Sequence, residues 1–581
     1  MAFARRVASQ VAPFPGLREG SAAAGQVAVA WAVGPQAPLT AESQADALAV
    51  LFGEAIPGPG PERLDAGELA RRWLGPGTPE QFSGFYAALV CDPGGRVLLG
   101  ADLLGLFPIY YWYRDPVLLV GSSPELFRHH PLFASKVSAE GLAGILMTNG
   151  LVQGRALLEG VRRLTPGHVL VFVPGTRVEE VEQYRLPEAD PEMDLSISGL
   201  VEVLDGVLER VVRRCVPDGE PVAHLLSGGV DSRLLAGFLH RLKIPTLAIT
   251  RGESSDLEWQ CARRVARRLQ FEHRLAREDT NDPVAKVMHH TRWEHLANGL
   301  FTVSDGRLPN QAGPLPRRIM SGYLLDVVIP AHKTNPVDGD PFEVRFMDWF
   351  VKCNGWGLSP EVVGALMGGD AIPTAVIEGM RQDFRASAAT APRAYWKAIL
   401  RHQGRFRVGG TAWRISFDSW PAFPVLDREL VDTIARMPMA AIGERRVAEE
   451  LLCRAFPSLA ALPVDRADFE TMPLKPRVRH LLTHYVRRRL RLLPKGQGGW
   501  LPSWVERRFF VRRSSFESPG WKAVRHEAEP LRDTVGALLG RDALDRSLWP
   551  AEMAAPVADP MKGTSGAKLL VGLLLWASEH H

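Results

Sequence analysis

Residues 227–232 read Ser-Gly-Gly-Val-Asp-Ser, set between the apolar "HLL" and the amphipathic "RLLAGFLH". Ser227 and Ser232 offer hydroxyls, Gly228 and Gly229 let backbone N–H groups approach an anion, and a helix starting here adds partial positive charge. That combination suits a phosphate. Asp231 cannot face a phosphate without a cation between them, and a hard ion such as Mg2+, held by one or two carboxylates and phosphate oxygens, resolves the conflict. No lysine follows in the manner of G-x-x-x-x-G-K-[ST], so this is a different phosphate loop. For the hexapeptide alone, the plain alternative is an ordinary strand-to-helix turn.

The elements around it must bring such a loop to a ligand. "LVEVLDGVLERVVRRC" has helical periodicity, "PVAHLL" reads as a short buried strand, and "RLLAGFLHRLK" as a helix. "IPTLAITRG" and "DLEWQCARRVARRLQ" repeat the strand–helix alternation. Alternation of this kind implies parallel strands with crossover helices, and a ligand site at the carboxyl ends of the strands. Upstream the texture differs: residues 82–127 and 164–186 alternate short apolar runs with turn residues such as "DPGG", which predicts antiparallel strands and hairpins. The polar "LPEADPEMD" at 186–194 is the linker between the two textures. The last third is mostly helical, with arginine clusters at 485–495 and 505–513 that are either solvated helix faces or a docking surface for an acidic peptide or partner.

With 581 residues the chain has room for two to four domains. Lys and Arg number 69 against 65 Asp and Glu, a balance that gives no reason to expect nucleic acid. Cys91, Cys215, Cys261, Cys353 and Cys453 form no C-x-x-C pair, so neither a disulfide framework nor a zinc site is indicated and a reducing cytoplasm is expected. "MAFARRVASQVAPFPG" lacks a signal-peptide core, and no run reaches the ~18 apolar residues of a membrane span. "AKLLVGLLLWA" at 567–577 reads as a buried C-terminal helix.

The Ser-Gly-Gly-Val-Asp-Ser loop resembles the pyrophosphate loop of the ATP pyrophosphatases, and the whole chain resembles the asparagine synthetase superfamily at several points in order. "SGFYAALVCDPGGRVLLGADLLGLFPIYYW", "VGSSPELF" and "RRLTPGHVLVF" are similar to its amidotransferase-type N-terminal domain. "ITRGESSDLEWQCARRVARRLQFEH", "IMSGYLLD" (319–326) and "FPVLDRELVDTIARMP" (423–438) are similar to its synthetase part. The resemblance implies an α/β chain: an Ntn-type αββα sandwich over residues 1–190, then an ATP-pyrophosphatase domain over 195–581 with a parallel sheet and a mostly helical C-terminal part. By matched position, Ser227, Gly228, Gly229, Asp231 and Ser232 hold the pyrophosphate of ATP. Ser321 and Gly322 flank the nucleotide, and Asp231 and Asp326 share Mg2+. The implied reaction is activation of a carboxylate as an acyl-adenylate followed by attack of an amine.

Departures from the family pattern narrow the expectation. Glutamine-hydrolysing members begin Met-Cys, whereas this chain begins "MAFARR", and the family's "NGE" stands here as "FGE" (52–54). The N-terminal domain is therefore expected to be a retained scaffold without glutaminase activity. Tyr323 stands where the asparagine synthetases have Glu and the β-lactam synthetases have Tyr, a residue that helps deprotonate an internal amine. Its carboxylate partner is sought in Asp418, the nearest acid before "PVLD", and the lysine that stabilises acyl transfer in Lys475 or Lys562; Arg466 and Asp468 stand near that lysine's family position.

Among members without the cysteine, the lasso peptide macrocyclases resemble this chain best. They join the N-terminal amine of a leader-cleaved precursor peptide to an Asp or Glu side chain, giving a macrolactam. The resemblance implies ATP and Mg2+ as cofactors, a leader-binding protein and a leader peptidase as partners, and neither nucleic acid nor membrane. The alternatives are a β-lactam synthetase-like or other small-molecule amide synthetase, a non-catalytic scaffold, and a tRNA-modifying ATP pyrophosphatase, for which no sulfur-handling cysteine pair or RNA-binding domain is visible.

Overall fold

The computed structural model describes residues 14–44, 46–175, 177–188, 193–254, 256–277, 281–297, 314–330, 340–408, 410–465, 471–476, 478, 481, 485, 519–538 and 565–580. The N-terminal part is built on antiparallel sheets. Strands β1 (Arg18–Ala24) and β2 (Val27–Val33) form a hairpin. Next come β3 (Leu39–Gln44), β4 (Ala47–Gly53), β5 (Tyr86–Cys91), β6 (Val97–Ala101), β7 (Tyr110–Arg114), β8 (Val117–Gly121), β9 (Arg162–Arg163), β10 (His168–Val173) and β11 (Arg177–Glu182). A six-stranded sheet has the order β11-β10-β6-β5-β4-β3, and a three-stranded one β8-β7-β9.

Strand alternation sorts these side chains into layers, since successive residues face opposite sides of a sheet. Leu51, Tyr86, Ala88, Val90 and Leu98 bury one face of the large sheet against Leu69 and Trp73 of helix α1 (Ala66–Trp73). Leu99, Ala101 and Leu170 on its other face meet Tyr111, Leu118 and Val120 of the small sheet. The far side of the small sheet, Tyr110 and Trp112, packs with Leu142, Ile145 and Leu146 of helix α2 (Ala139–Thr148). The order is helix, sheet, sheet, helix.

The second part begins with helix α3 (Ile197–Cys215), capped by Ser196, and continues with β12 (Val222–Leu225), α4 (Val230–Arg241), β13 (Thr246–Arg251), α5 (Leu257–Leu269), β14 (Glu272–Ala276) and α6 (Pro283–Glu294). Strands β15 (Arg318–Ser321) and β16 (Trp420–Ala422) complete a five-stranded sheet of order β14-β13-β12-β15-β16, parallel at every pairing. β12 is central and fully flanked, and its residues Val222, Ala223 and His224 are buried on both faces, as parallel strands under helices require. Downstream lie helices α7 (Arg428–Arg436), α8 (Arg446–Ala455) and α9 (Ser565–His580), the last with Leu569 to Ala577 buried. No helix among the described residues is long and apolar enough to cross a membrane.

The two parts are joined by buried ion pairs. Arg318 of β15 donates to Glu54, beyond the end of β4, at 2.8 Å and to Glu220 at 2.8 Å. Burial alone would raise the Glu54 carboxyl, but Arg318 and Arg63 outweigh it and hold it below the usual carboxylate range. Within the second part Arg214 of α3 is clamped on Asp427, at 2.8 and 2.9 Å, and reaches across to Pro59 O at 3.1 Å, while Asp427 also caps α7 by accepting from Glu429 N–H.

Candidate active site

β12 ends at Leu225, and the chain turns through Ser227–Gly229 into α4 at the carboxyl edge of the sheet. Gly228 has φ +76°, in the left-handed region where a side chain is strained. A Cβ on it would lie 2.5 Å from Cys261 Cβ and 2.8 Å from Ala262 N, so only glycine lets the loop lie flat on α5. Ser227 N–H donates to Ser232 Oγ at 3.1 Å, and the two hydroxyls are 2.9 Å apart. Gly229 begins α4 with no side-chain cap, so the first-turn N–H groups keep their capacity for an anion.

Two buried residues that sequence reasoning passed over fix this turn from beneath. His224 lies between the turn and the neighbouring strand, with Nε2 2.8 Å from Ser232 O and Nδ1 3.3 Å from Met320 O. Burial pushes its imidazole down to about 4, so it is neutral, and the shorter contact assigns the proton to Nε2. Arg233, fully buried, donates to the carbonyls of Gly228, Leu459, Leu462 and Pro463, at 2.7, 2.9, 2.8 and 2.6 Å. A helical first-turn arginine gives no sequence signal of that role.

The second signature follows β15. Ser321 Oγ accepts from Tyr323 N–H at 3.2 Å. Gly322 packs on the loop: a Cβ there would come 3.1 Å from both Asp231 Cβ and Ser232 N. Leu324 takes φ +65°, and the chain then enters the short helix that carries Asp326. Asp231 and Asp326 converge on one cationic head. Arg445 Nη2 lies 3.1 Å from Asp231 Oδ2 and 3.6 Å from Asp326 Oδ2. Burial and the neighbouring Asp326 push the Asp231 carboxyl up to about 7, against the opposing pull of Arg445.

Two carboxylates from adjacent strand ends meeting a single cation, beside glycine-lined amides, fit a metal–phosphate ligand. The structure therefore brings together Ser227, Gly228, Gly229, Asp231, Ser232, Ser321, Gly322 and Asp326. Tyr323 sits beside them with its ring 6.1 Å from that of Phe423. Asp418 is placed elsewhere: it lies on the exposed turn before β16. Trp420 pairs with Arg318, so Asp418 belongs to the amino edge of the sheet, opposite the loop. The strand register separates it from Tyr323, and a position near "PVLD" in sequence could not reveal that. Lys475 is exposed, with Nζ 3.9 Å from Glu450 of α8. Lys562, Arg466 and Asp468 lie outside the described residues, as do the arginine clusters apart from Tyr485.

A second polar cluster joins the two parts of the chain. Ligand atoms of Glu125, His295 and His580 lie within 4.8 Å of one another. Arg128 and Arg292 also reach Glu125 Oε1, at 3.2 and 3.4 Å, so a divalent ion here would face two guanidinium groups. The cluster is read instead as a buried carboxylate saturated by cationic and imidazole donors, tying the C-terminal helix to the N-terminal part.

Comparison with known proteins finds likeness in two segments of the chain. Residues 69–184 match the glutamine amidotransferase domain family, and residues 203–297, which include the loop, match the asparagine synthase family. Among curated relatives, an amidase of Penicillium rubens, chyE, is 28% identical over 161 residues, 27% of this chain and 23% of the relative. An amidase of Gibberella zeae, chry2, is 29% identical over 164 residues, 27% of this chain and 24% of the relative. The match thus spans about a quarter of those relatives' length. Two segments in order, 69–184 and 203–297, are thus similar to a glutamine amidotransferase domain and to asparagine synthase, and the second carries the loop.

Proposed function

We propose that this chain is an ATP-dependent amide-bond-forming ligase that activates an Asp or Glu side chain of a leader-cleaved peptide and joins it to the peptide's N-terminal amine, a lasso peptide macrocyclase. The observation that carries the ATP-dependent part is the convergence of Asp231 and Asp326 over the Ser227–Ser232 loop. Mg2+ and ATP, when bound, supply the leaving pyrophosphate and the charge that stabilises its departure. The loop amides and Ser227 and Ser232 would hold that pyrophosphate, Ser321 and Gly322 would flank the nucleotide, and Asp231 and Asp326 would hold the metal. Tyr323 would orient the attacking amine; an α-amine titrates near 7.7–8.0, so a mild acceptor suffices. Binding would otherwise contribute by positioning the folded peptide, since ring closure is mainly a problem of orientation.

The state of the N-terminal part supports a scaffold without glutaminase activity. Phe52, in the place of the family's amide, packs its ring 5.0 Å from Phe107 and 5.7 Å from Trp420, and Glu54 is taken up by Arg318 and Arg63. Cys91 is buried in β5, where burial and Asp92 push its thiol up, the reverse of what a nucleophile needs. We further propose cytoplasmic action with a leader-binding protein and a peptidase as partners. Tyr323 favours a second reading, a β-lactam synthetase-like enzyme acting on a small β-amino acid. ATP–pyrophosphate exchange separates the two. Exchange that requires a linear peptide with a free N-terminus, and is lost in Asp231→Ala, supports the first; exchange with a small β-amino acid and none with peptide overturns it.

A further inference from the structure

Arg445 is held in place by unusual backbone. Glu444 (φ 54°, ψ 22°) and Arg445 (φ 60°, ψ 21°) are consecutive non-glycine residues in the left-handed region, where a Cβ crowds the following carbonyl oxygen. Such strain persists only where the surroundings enforce it. Here Arg445 N–H donates to Pro330 O at 3.1 Å, in the segment just after Asp326, so the base of the side chain is tied to the second signature. Its guanidinium spans Asp231 and Asp326, and its buried Nε has no acceptor. The donor set is thus incompletely used by the two carboxylates.

We infer that Arg445 competes with a metal for Asp231 and Asp326 and so makes metal entry depend on nucleotide. This rests on the reading of those carboxylates as the Mg2+–ATP clamp. The charges give the reason. Two acids and one guanidinium leave the site at most one negative charge, too little to draw in a divalent ion against a cation already within 3.6 Å of both oxygens. Polyphosphate brings the missing negative charge and offers the guanidinium a better-matched acceptor, so Arg445 can leave the carboxylates for phosphate oxygens as the metal takes them. Metal and nucleotide then bind with positive coupling, and the anchored backbone keeps the swing within the side chain.

The test uses the full chain and Mn2+ alone, with bound ion followed by water-proton relaxation, and calorimetry of ATP with and without Mg2+. Wild type is expected to bind Mn2+ alone weakly and to gain roughly tenfold or more when ATP is present, within the usual 5–150-fold span of site coupling. Arg445→Gln is expected to bind Mn2+ alone roughly tenfold tighter, to bind Mg2+–ATP more weakly, and to lose the coupling. Arg445→Lys, which keeps the charge without the fork, falls between them and guards against a misfolded Gln variant. Equal Mn2+ affinity with and without ATP in wild type, or Mn2+ affinity unchanged in a folded Arg445→Gln, overturns the inference while leaving the clamp intact. Absence of both nucleotide and metal binding in wild type, with Asp231→Asn indistinguishable, overturns the clamp itself.

Discussion

Acidification should weaken the protein through His224, the fully buried imidazole under the loop. Two carbonyls face its two nitrogens, but a neutral ring has one N–H, which Ser232 O receives at 2.8 Å. Protonation would add a donor for Met320 O, and burial outweighs that gain, leaving the group near 4 against an ordinary 6.5. A histidine with a depressed folded value contributes stability that is complete above 6.5 and is lost as pH falls toward 4, because the unfolded chain takes up the proton first. The full difference is about 3 kcal/mol, and about 2 kcal/mol of it is gone at pH 5. Urea unfolding of wild type and His224→Ala should therefore show an advantage for wild type that shrinks by about 2 kcal/mol between pH 8 and pH 5. His273, His290 and His295, whose values are also lowered to about 4, are common to both proteins and cancel in the comparison. A difference that stays constant with pH, or grows toward acid, would refute the assignment of a neutral ring.

Three further outcomes follow from single side chains. Gly228→Ala places a Cβ 2.5 Å from Cys261 Cβ at a φ of +76°, so the loop must lift from α5; ATP affinity by calorimetry should fall roughly tenfold or more with the circular dichroism spectrum retained. Arg233→Met keeps the apolar stem and strands four carbonyls, and should lower thermal stability as well as nucleotide affinity, with unchanged affinity counting against the loop-tether role. Asp427→Ala removes the cap of α7 and one of the two carboxylates on buried Arg214, Glu429 remaining, with an expected loss of about 2–4 kcal/mol in denaturant unfolding; a loss below ~1 kcal/mol would show that the pair is not the buried anchor.

What could be read from the sequence was local. Strand and helix periodicity located β12, α4, β13 and α5, and the glycine–hydroxyl–carboxylate composition of the loop pointed to an anion as its expected ligand. The buried C-terminal helix was legible from its apolar run in the same way. Residues whose roles depend on distant chain were not. Arg233 looks like a solvated first-turn arginine until residues 459–463 close over it, and Arg445 looks like any surface base until Asp231 and Asp326 arrive beneath it. Asp418 illustrates the converse: sequence proximity to "PVLD" suggested a place near Tyr323, and parallel register puts it at the other end of the sheet.

The arrangement under the loop also explains which way its amides face. A trans peptide points its C=O and N–H in opposite directions. Arg233 draws the Gly228 carbonyl inward at 2.7 Å, so the N–H of the same peptide, on Gly229, faces outward, where its bond to Ser227 Oγ is a long 3.3 Å. The buried guanidinium thus sets the polarity of the loop through its carbonyls, while the exposed face is left with weakly used donors. Arg445 complements this from above by neutralising the carboxylates that those donors alone could not balance. On the proposed reading, one arginine would orient the loop to receive phosphate, and the other would keep the acids beside it from repelling that phosphate before a metal binds.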